Sequence, residues 1–268
     1  GVSFTRGPFE RIGNFCPKPG EDSVGSPAGS DSDHAPAGRD PDSGTAEAGS
    51  YKKAPSGAEI AEVLPCVDYR ELSLSDHVLH LGQNQEIDLG GIAKGYASDC
   101  LMELFREYEL TGAIVSLGGN VQCYGAKPDG SAWNVGIRRP FPGSGGQELL
   151  GILTAKSEAV ITSGSYERYF TDPDTGHLWH HILDPSTGYP ADSGLVSVTI
   201  ICESGLRADA LSTACFILGA DKAADLWRSG KQDFDMILVC QDGSIILTAP
   251  AAERFTPGDA GQSISILE

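Results

Sequence analysis

An α+β fold is predicted for this chain by three observations: a hairpin signal near its C-terminus, helical periodicity interleaved with strand-like runs, and an apolar content large enough for a core. Residues 236–240 and 245–247 are apolar runs separated by Asp242-Gly243, a dipeptide that is a strong hairpin signal. Residues 92–105 set Ile92, Tyr96 and Cys100, with Ala93, Ala97, Leu101, Leu104 and Phe105, at helical spacing. The chain has 268 residues, 40% hydrophobic and 21% charged, enough for one large domain or two lobes. Hairpin-linked strands mixed with helices favour an α+β arrangement over a parallel doubly wound sheet.

The elements follow in order. Residues 20–50 are rich in Gly, Ser, Pro, Ala and Asp, and Val24 is their one large apolar residue. Such a stretch buries too little surface to offset its ordering entropy, so a disordered acidic insertion is expected there. From Ala58 the chain becomes periodic. Strand-like runs are expected at 113–117, 133–137, 150–153, 195–202 and 236–240. The helix at 92–105 is joined by a second amphipathic candidate at 209–218. Asp221 can cap a third, short helix that Gly230 would end.

Composition excludes several classes. The net charge of −18 argues against a nucleic-acid partner, which needs a basic surface. A third of that charge sits in 20–50, where seven acids face Arg39 alone. The seven cysteines are widely spaced, without a Cys-x-x-Cys pair, so a zinc or redox centre is not expected and most read as small core residues. No apolar run approaches the ~18 residues of a transmembrane helix. The chain starts at Gly1 without a methionine, so its lack of a secretory signal carries no information on localisation.

Three constellations could carry chemistry. In Asp88-Leu89-Gly90-Gly91-Ile92-Ala93-Lys94-Gly95 a strand-like lead-in at Glu86 and Ile87 reaches two glycines and then a helix start. Glycines let a ligand approach the backbone, and free helix amides attract phosphate oxygens. Lys94 stands in the first turn, where the helix dipole disfavours a cation, which points to an anionic ligand. A tight turn with a solvated lysine is the plainer alternative. Asp209 and Thr213 stand at i and i+4 on one helix face, where a carboxylate and a hydroxyl can offer two hard oxygens to Mg2+. Alternatively, Asp209 is an N-cap and Thr213 a packed helix residue. In His180-His181-Ile182-Leu183-Asp184-Pro185-Ser186-Thr187-Gly188 a strand ending at Ile182 and Leu183 would present a histidine beside a turn. That histidine can act as base or phosphate contact near neutral pH. The alternative for Asp184 is to organise the turn by bonding its own backbone. Two further segments, Ser116-Leu117-Gly118-Gly119-Asn120 and Thr162-Ser163-Gly164-Ser165-Tyr166, offer a glycine turn and a hydroxyl cluster, either ligand-facing or merely turn-forming.

Taken in order, these segments resemble the FAD:protein FMN transferases, the ApbE family. The matching stretches are IDLGGIAKGYASD at 87–99, SLGGN at 116–120, WNVGIRRP at 133–140, AVITSGSYERYF at 159–170, HHILDPSTGYPA at 180–191 and ADALSTACF at 208–216, with a weaker likeness at 4–15. The resemblance implies a two-lobed, T-fold-like α+β architecture with antiparallel sheets and helices. Residues 1–19 would then be an N-terminal remnant, 20–50 an insertion and 51–268 the catalytic domain, with the N-terminal part of the family fold missing. It implies cleavage of FAD and transfer of FMN to a Thr or Ser hydroxyl of an acceptor protein. Carried over by position, Ala93 (through its carbonyl), Asp209 and Thr213 resemble Mg2+ ligands and His181 resembles the catalytic histidine. Asp88, Gly90, Gly91, Lys94, Gly118, Gly119, Ser163, Gly164 and Asp184 would face the flavin nucleotide. An FAD pyrophosphatase releasing FMN and AMP, and a flavin-binding protein without turnover, are the alternatives. The family is commonly exported and lipid-anchored, which implies a periplasmic, membrane-anchored location.

Overall fold

The structure is a computed structural model that describes residues 54–141, 148–258 and 262–268. The expectations for 1–19 and 20–50 lie outside the described residues. From Ala54 the chain forms α1 (Gly57–Val63), whose start is closed by a reciprocal Ser56–Glu59 capping box. A small hairpin, β1 (Ser73–Ser75) and β2 (Val78–His80), precedes α2 (Ala93–Glu107). The hairpin β3 (Gly112–Leu117) and β4 (Asn120–Gly125) follows, then β5 (Trp133–Arg138), β6 (Leu149–Ala155) and β7 (Ala159–Gly164). A second small hairpin, β8 (Tyr169–Thr171) and β9 (Leu178–His180), leads to β10 (Leu195–Cys202) and the long α3 (Gly205–Arg228). The chain closes with β11 (Asp235–Cys240), β12 (Ile245–Thr248), α4 (Ala249–Ala252), β13 (Phe255–Pro257) and β14 (Ile264–Leu267).

Seven strands build the central sheet in the order β14-β12-β11-β10-β7-β4-β3, antiparallel except for the β12–β14 pair. Both faces are covered, and side-chain alternation divides them. Ile161, Val198, Ile200, Met236 and Leu238 pack under Ala208, Cys215, Phe216 and Ala223 of α3. Their neighbours Val160, Ile201, Ile237 and Val239 face the smaller antiparallel sheet β13-β6-β5 through Val135, Leu153 and Phe255. The mixed fold with antiparallel sheets is the one the hairpin signals predict, and Asp242-Gly243 does form the β11–β12 turn, Gly243 with φ 83°.

Several expectations need correction. The two helices expected at 209–218 and after Asp221 are both present, since Gly205–Arg228 is interrupted at Gly219, whose φ of 80° and ψ of 170° only glycine adopts easily, but the first of them begins earlier, at Gly205. Asp209 is therefore not its N-cap. Ser204 is, and its hydroxyl accepts from the Arg207 amide. The strand expected to end at Ile182 and Leu183 stops at His180, because Ile182 turns into the core and Leu183 makes only a single bridge to Pro190. Residues 86–87 are irregular rather than strand. Strands β1, β2, β4, β7, β8, β13 and β14 are additional. Of the cysteines, Cys123, Cys202 and Cys215 are buried core residues, while Cys66, Cys100 and Cys240 are half-buried.

Helices α2 and α3 cross at two glycines. A Cβ on Gly95 would meet the Gly205 carbonyl and stand 2.7 Å from the Asp209 Cβ, so the backbones touch only because both positions lack side chains. Each helix start is also capped by an aspartate of the other. Asp209 Oδ2 accepts from the Gly95 N–H at 2.9 Å, in the first turn of α2, which has no side-chain cap of its own. Asp99 of α2 accepts from the Gly205 and Leu206 amides at 2.6 and 3.0 Å, from Ser204 Oγ at 2.8 Å and from Gln122 Nε2 at 2.9 Å. Partial burial pushes the Asp99 pKa up, but these hydrogen bonds outweigh it and hold the carboxyl below its ordinary 3.8.

Asp99→Ala is expected to cost about 3 kcal/mol, because it strips an ionised acceptor from four donors at once. A lowered folded pKa stabilises the fold only while the unfolded carboxyl is also ionised. The contribution is thus complete above the ordinary value of 3.8 and is lost as pH falls through the lower folded value. Urea melts of wild type and Asp99→Ala from pH 7 downward check it: the two stabilities should converge in acid.

Candidate functional site

The helix crossing sets one group of side chains on a shared edge of the central sheet. Asp209 lies one turn into α3 and is 5% exposed. Burial pushes its pKa up, while the Gly95 amide, the Asn120 side chain and the charge of Lys94 pull it back. Thr213 stands a turn further along. Its hydroxyl meets Ser163 Oγ of β7 at 3.1 Å, and Ser163 also bonds Ser212 Oγ at 2.8 Å. Ser212 in turn donates to the Asp209 carbonyl at 2.9 Å. A carboxylate and three hydroxyls thus share one end of β7 and the middle of α3.

Lys94 closes a second side. It is exposed at the start of α2, and its stem runs beside the Gly118–Gly119 turn, close enough that a Cβ on Gly118 would lie 4.0 Å from Nζ. Both turn glycines have positive φ, 56° and 92°, as a two-residue hairpin between β3 and β4 requires. Gly164 is constrained otherwise: the Tyr166 ring covers it, and a Cβ there would stand 2.9 Å from Tyr166 Cδ1.

The two adjacent histidines separate. His180 is buried, its Nε2 3.2 Å from the Ala191 carbonyl and its ring edge-on to Phe216 at 5.7 Å. It is a core residue. His181 is exposed, and the Arg168 carbonyl accepts from its backbone N–H at 3.1 Å. Crowding by protein atoms lowers the His181 pKa to about 4; the Arg168 backbone opposes this, while the charges of Arg168 and Lys94 add to it. The ring still reaches solvent, which screens part of the effect, but at pH 7 a lowered pKa leaves the imidazole neutral. The charge of Lys94 acts on both Asp209 and His181, lowering the pKa of each.

Two expected site residues serve their own turns. Asp184 Oδ1 accepts from the Ser186 N–H at 2.8 Å and its hydroxyl at 2.7 Å, within a loop closed by Gly188 N–H to Asp184 O. Asp88 accepts from the Gly90 N–H, which shapes the turn before α2. Gly90 and Gly91 form the approach to α2, and Ala93 is its first residue, two before the capped Gly95. Residues not singled out from sequence are Asp99, Asn120, Ser212 and Gly205. The first two lie inside motifs noticed for their glycines and lysine, and nothing local marks them.

Comparisons with known proteins identify the family. The model of the ApbE family matches residues 42–238. The chain is 38% identical over 213 residues to an FAD:protein FMN transferase of Klebsiella pneumoniae strain 342, covering 78% of this chain and 64% of that one. It is 35% identical over 222 residues to the FAD:protein FMN transferase of Treponema pallidum strain Nichols, covering 77% and 60%. Among solved structures it is similar to the ApbE protein of Thermotoga maritima MSB8, at a TM-score of 0.65 and 38% identity over 72% of this chain and 62% of that one. The chain therefore spans less than two thirds of the length of these relatives.

Proposed function

This chain belongs to the ApbE family, and from that premise we propose that it transfers FMN from FAD to a Thr or Ser hydroxyl of an acceptor protein with the help of Mg2+. The observation that carries the reading is a buried carboxylate, Asp209, among the hydroxyls of Ser163, Ser212 and Thr213, flanked by Lys94 and a neutral His181. The names of the Klebsiella and Treponema relatives support the same activity.

The residues fit a hard dication. A carboxylate withdrawn from water, its pKa raised by burial, is stabilised by a bound cation, and a hydroxyl one turn on supplies a second hard oxygen. Asp209, Thr213 and the Ala93 carbonyl would hold it. Bound there, Mg2+ would neutralise charge on the diphosphate. Lys94 and the glycine-rich approach to α2 would draw the phosphates in. His181 would take the proton of the acceptor hydroxyl as its oxygen attacks the FMN phosphorus. The phosphoanhydride bond breaks, AMP leaves, and a phosphoester remains. A neutral imidazole is the form that accepts a proton.

His181→Ala is expected to slow transfer by roughly 10²–10⁴-fold, the usual contribution of a positioned acid–base group. Because the side chain is exposed, the melting temperature should stay near wild type, and single-turnover labelling of the acceptor reads the rate. Transfer at the wild-type rate would remove the role. The whole reading is tested by incubating the chain with FAD, Mg2+ and a threonine-containing acceptor domain. Flavin fluorescence on the acceptor in a denaturing gel supports it. Free FMN and AMP would favour a pyrophosphatase, and an FAD-induced thermal shift without turnover a binding protein. By the same resemblance we propose a periplasmic, lipid-anchored setting. No helix among the described residues is long and apolar enough to cross a membrane.

A further inference from the structure

We infer that Ser212 is a positioning residue for Thr213, acting through Ser163, an inference that rests on the reading of Thr213 as a cation ligand. Each of the three side chains is a hydroxyl with one proton to give and two lone pairs to receive. Counting those protons gives the hydrogen bonds between them a direction. Ser212 is fully buried, and its Oγ lies 2.9 Å from the Asp209 carbonyl. A carbonyl only accepts, so the Ser212 proton is committed there. The 2.8 Å contact between Ser163 Oγ and Ser212 Oγ must then take its proton from Ser163. The 3.1 Å contact between Ser163 Oγ and Thr213 Oγ1 is left with the proton of Thr213. The relay runs one way, from Thr213 to Ser163 to Ser212 to the Asp209 carbonyl.

The direction matters because a hydroxyl binds a cation through a lone pair, and a proton turned toward the ion opposes it. Thr213 spends its proton on Ser163 and keeps its lone pairs clear of protein donors among the described residues. A helical threonine otherwise donates to the carbonyl one turn back. Here that carbonyl is the one of Asp209, which already receives Ser212 Oγ and, in a regular helix, the Thr213 N–H. The Thr213 hydroxyl is therefore directed onto β7 rather than along its own helix.

A serine bonded back to its own helix slightly destabilises that helix, so a fully buried one calls for a use of its oxygen. Ser212 uses it to accept from a neighbouring strand. Alanine there would release the Ser163 proton, whose other hydroxyl partner is Thr213. The Ser163–Thr213 bond would reverse, and the Thr213 proton would take a place that a lone pair holds now. The relay carries no charge, so it orients the ligand without repelling the ion. Ser212 acts through its neighbours and need touch neither metal nor nucleotide.

The test is a calorimetric titration of the full chain with MgCl2 alone, in wild type, Ser212→Ala, Ser163→Ala and the double variant. Melting temperatures without metal and FAD KM at saturating Mg2+ are read beside it. The expected result is Mg2+ affinity weakened about tenfold in each single variant, the scale of losing a group that orients a metal ligand. The double variant should bind no more weakly than Ser163→Ala, because without Ser163 the Ser212 hydroxyl has no path to Thr213. Losses that add overturn the inference, since they give the two serines independent effects. Unchanged Mg2+ affinity in Ser212→Ala overturns it too, and a lowered melting temperature beside it assigns the hydroxyl to packing alone. Where Ser212→Ala fails to fold, Ser163→Ala at its half-buried position carries the test. Unchanged Mg2+ affinity there overturns the inference, and a raised FAD KM with it assigns Ser163 to a phosphate contact. In all these cases a wild type that takes up Mg2+ leaves the cation site standing. A wild-type chain that takes up no Mg2+ overturns both this inference and the reading it rests on.

Discussion

Gly95→Ala should inactivate the protein although it adds only one methyl group. The new Cβ would meet the Gly205 carbonyl and lie 2.7 Å from the Asp209 Cβ, and neither is the free end of a flexible side chain. The helices must separate or the backbone must distort, which costs about 3 kcal/mol, the upper end of ordinary overpacking. Separation also lengthens the Gly95–Asp209 hydrogen bond, so the carboxylate loses its anchor. A displacement near 1 Å in a positioned group costs on the order of 10²-fold in rate. The expected outcome is thus a large drop in melting temperature together with at least that loss of flavin transfer. Gly205→Ala is the informative partner, because its methyl would meet the Gln122 Oε1 at 2.6 Å and the Gly95 carbonyl at 2.7 Å across the same crossing. Wild-type melting and labelling in Gly95→Ala would mean that the crossing relaxes freely.

Asp209→Asn separates stability from function. Asparagine keeps the shape and an oxygen for the Gly95 N–H, and it removes a carboxylate whose pKa burial has raised. Stability without metal should therefore hold or rise, since the desolvation of a charge disappears. Activity should fall by about 10³-fold, the scale of losing a principal electrostatic group at a reacting centre. Thermal shift with and without MgCl2 reads both effects: the melting temperature of the variant alone is maintained, and its response to the cation vanishes. An intact Mg2+ response with full turnover would move the metal elsewhere.

What could be read from sequence depended on how local its cause was. The α2 start was legible because two glycines precede a periodic run, and the β11–β12 hairpin because Asp242-Gly243 states its turn. Strand β7 was not, because both of its faces are covered. Val160 enters one core and Ile161 the other, so the strand shows no polar–apolar alternation, and its hydroxyls read as a turn. His180 and His181 are neighbours in sequence, and only the end of β9 shows that one packs on Phe216 while the other stays exposed. The pairing of Asp209 with Thr213 was visible as i and i+4 on one helix. Asp99 was not singled out, because the amides it serves lie far along the chain and a lone Asp carries no sign of a distant partner.

The exchanged caps bear on how this protein opens and closes. The Gly95 amide is held by a residue 114 positions away, and the Gly205 amide by one 106 positions away. Neither helix end is complete until chain segments that distant have met. The capped amides should therefore exchange with solvent deuterium as a single unit, through one cooperative opening rather than by fraying of either helix. A ligand that bound at this crossing would slow the exchange of Gly95, Gly205 and Leu206 by a common factor. The site would then act as a latch that is either wholly formed or absent, with no half-built state in which a nucleotide could be held loosely.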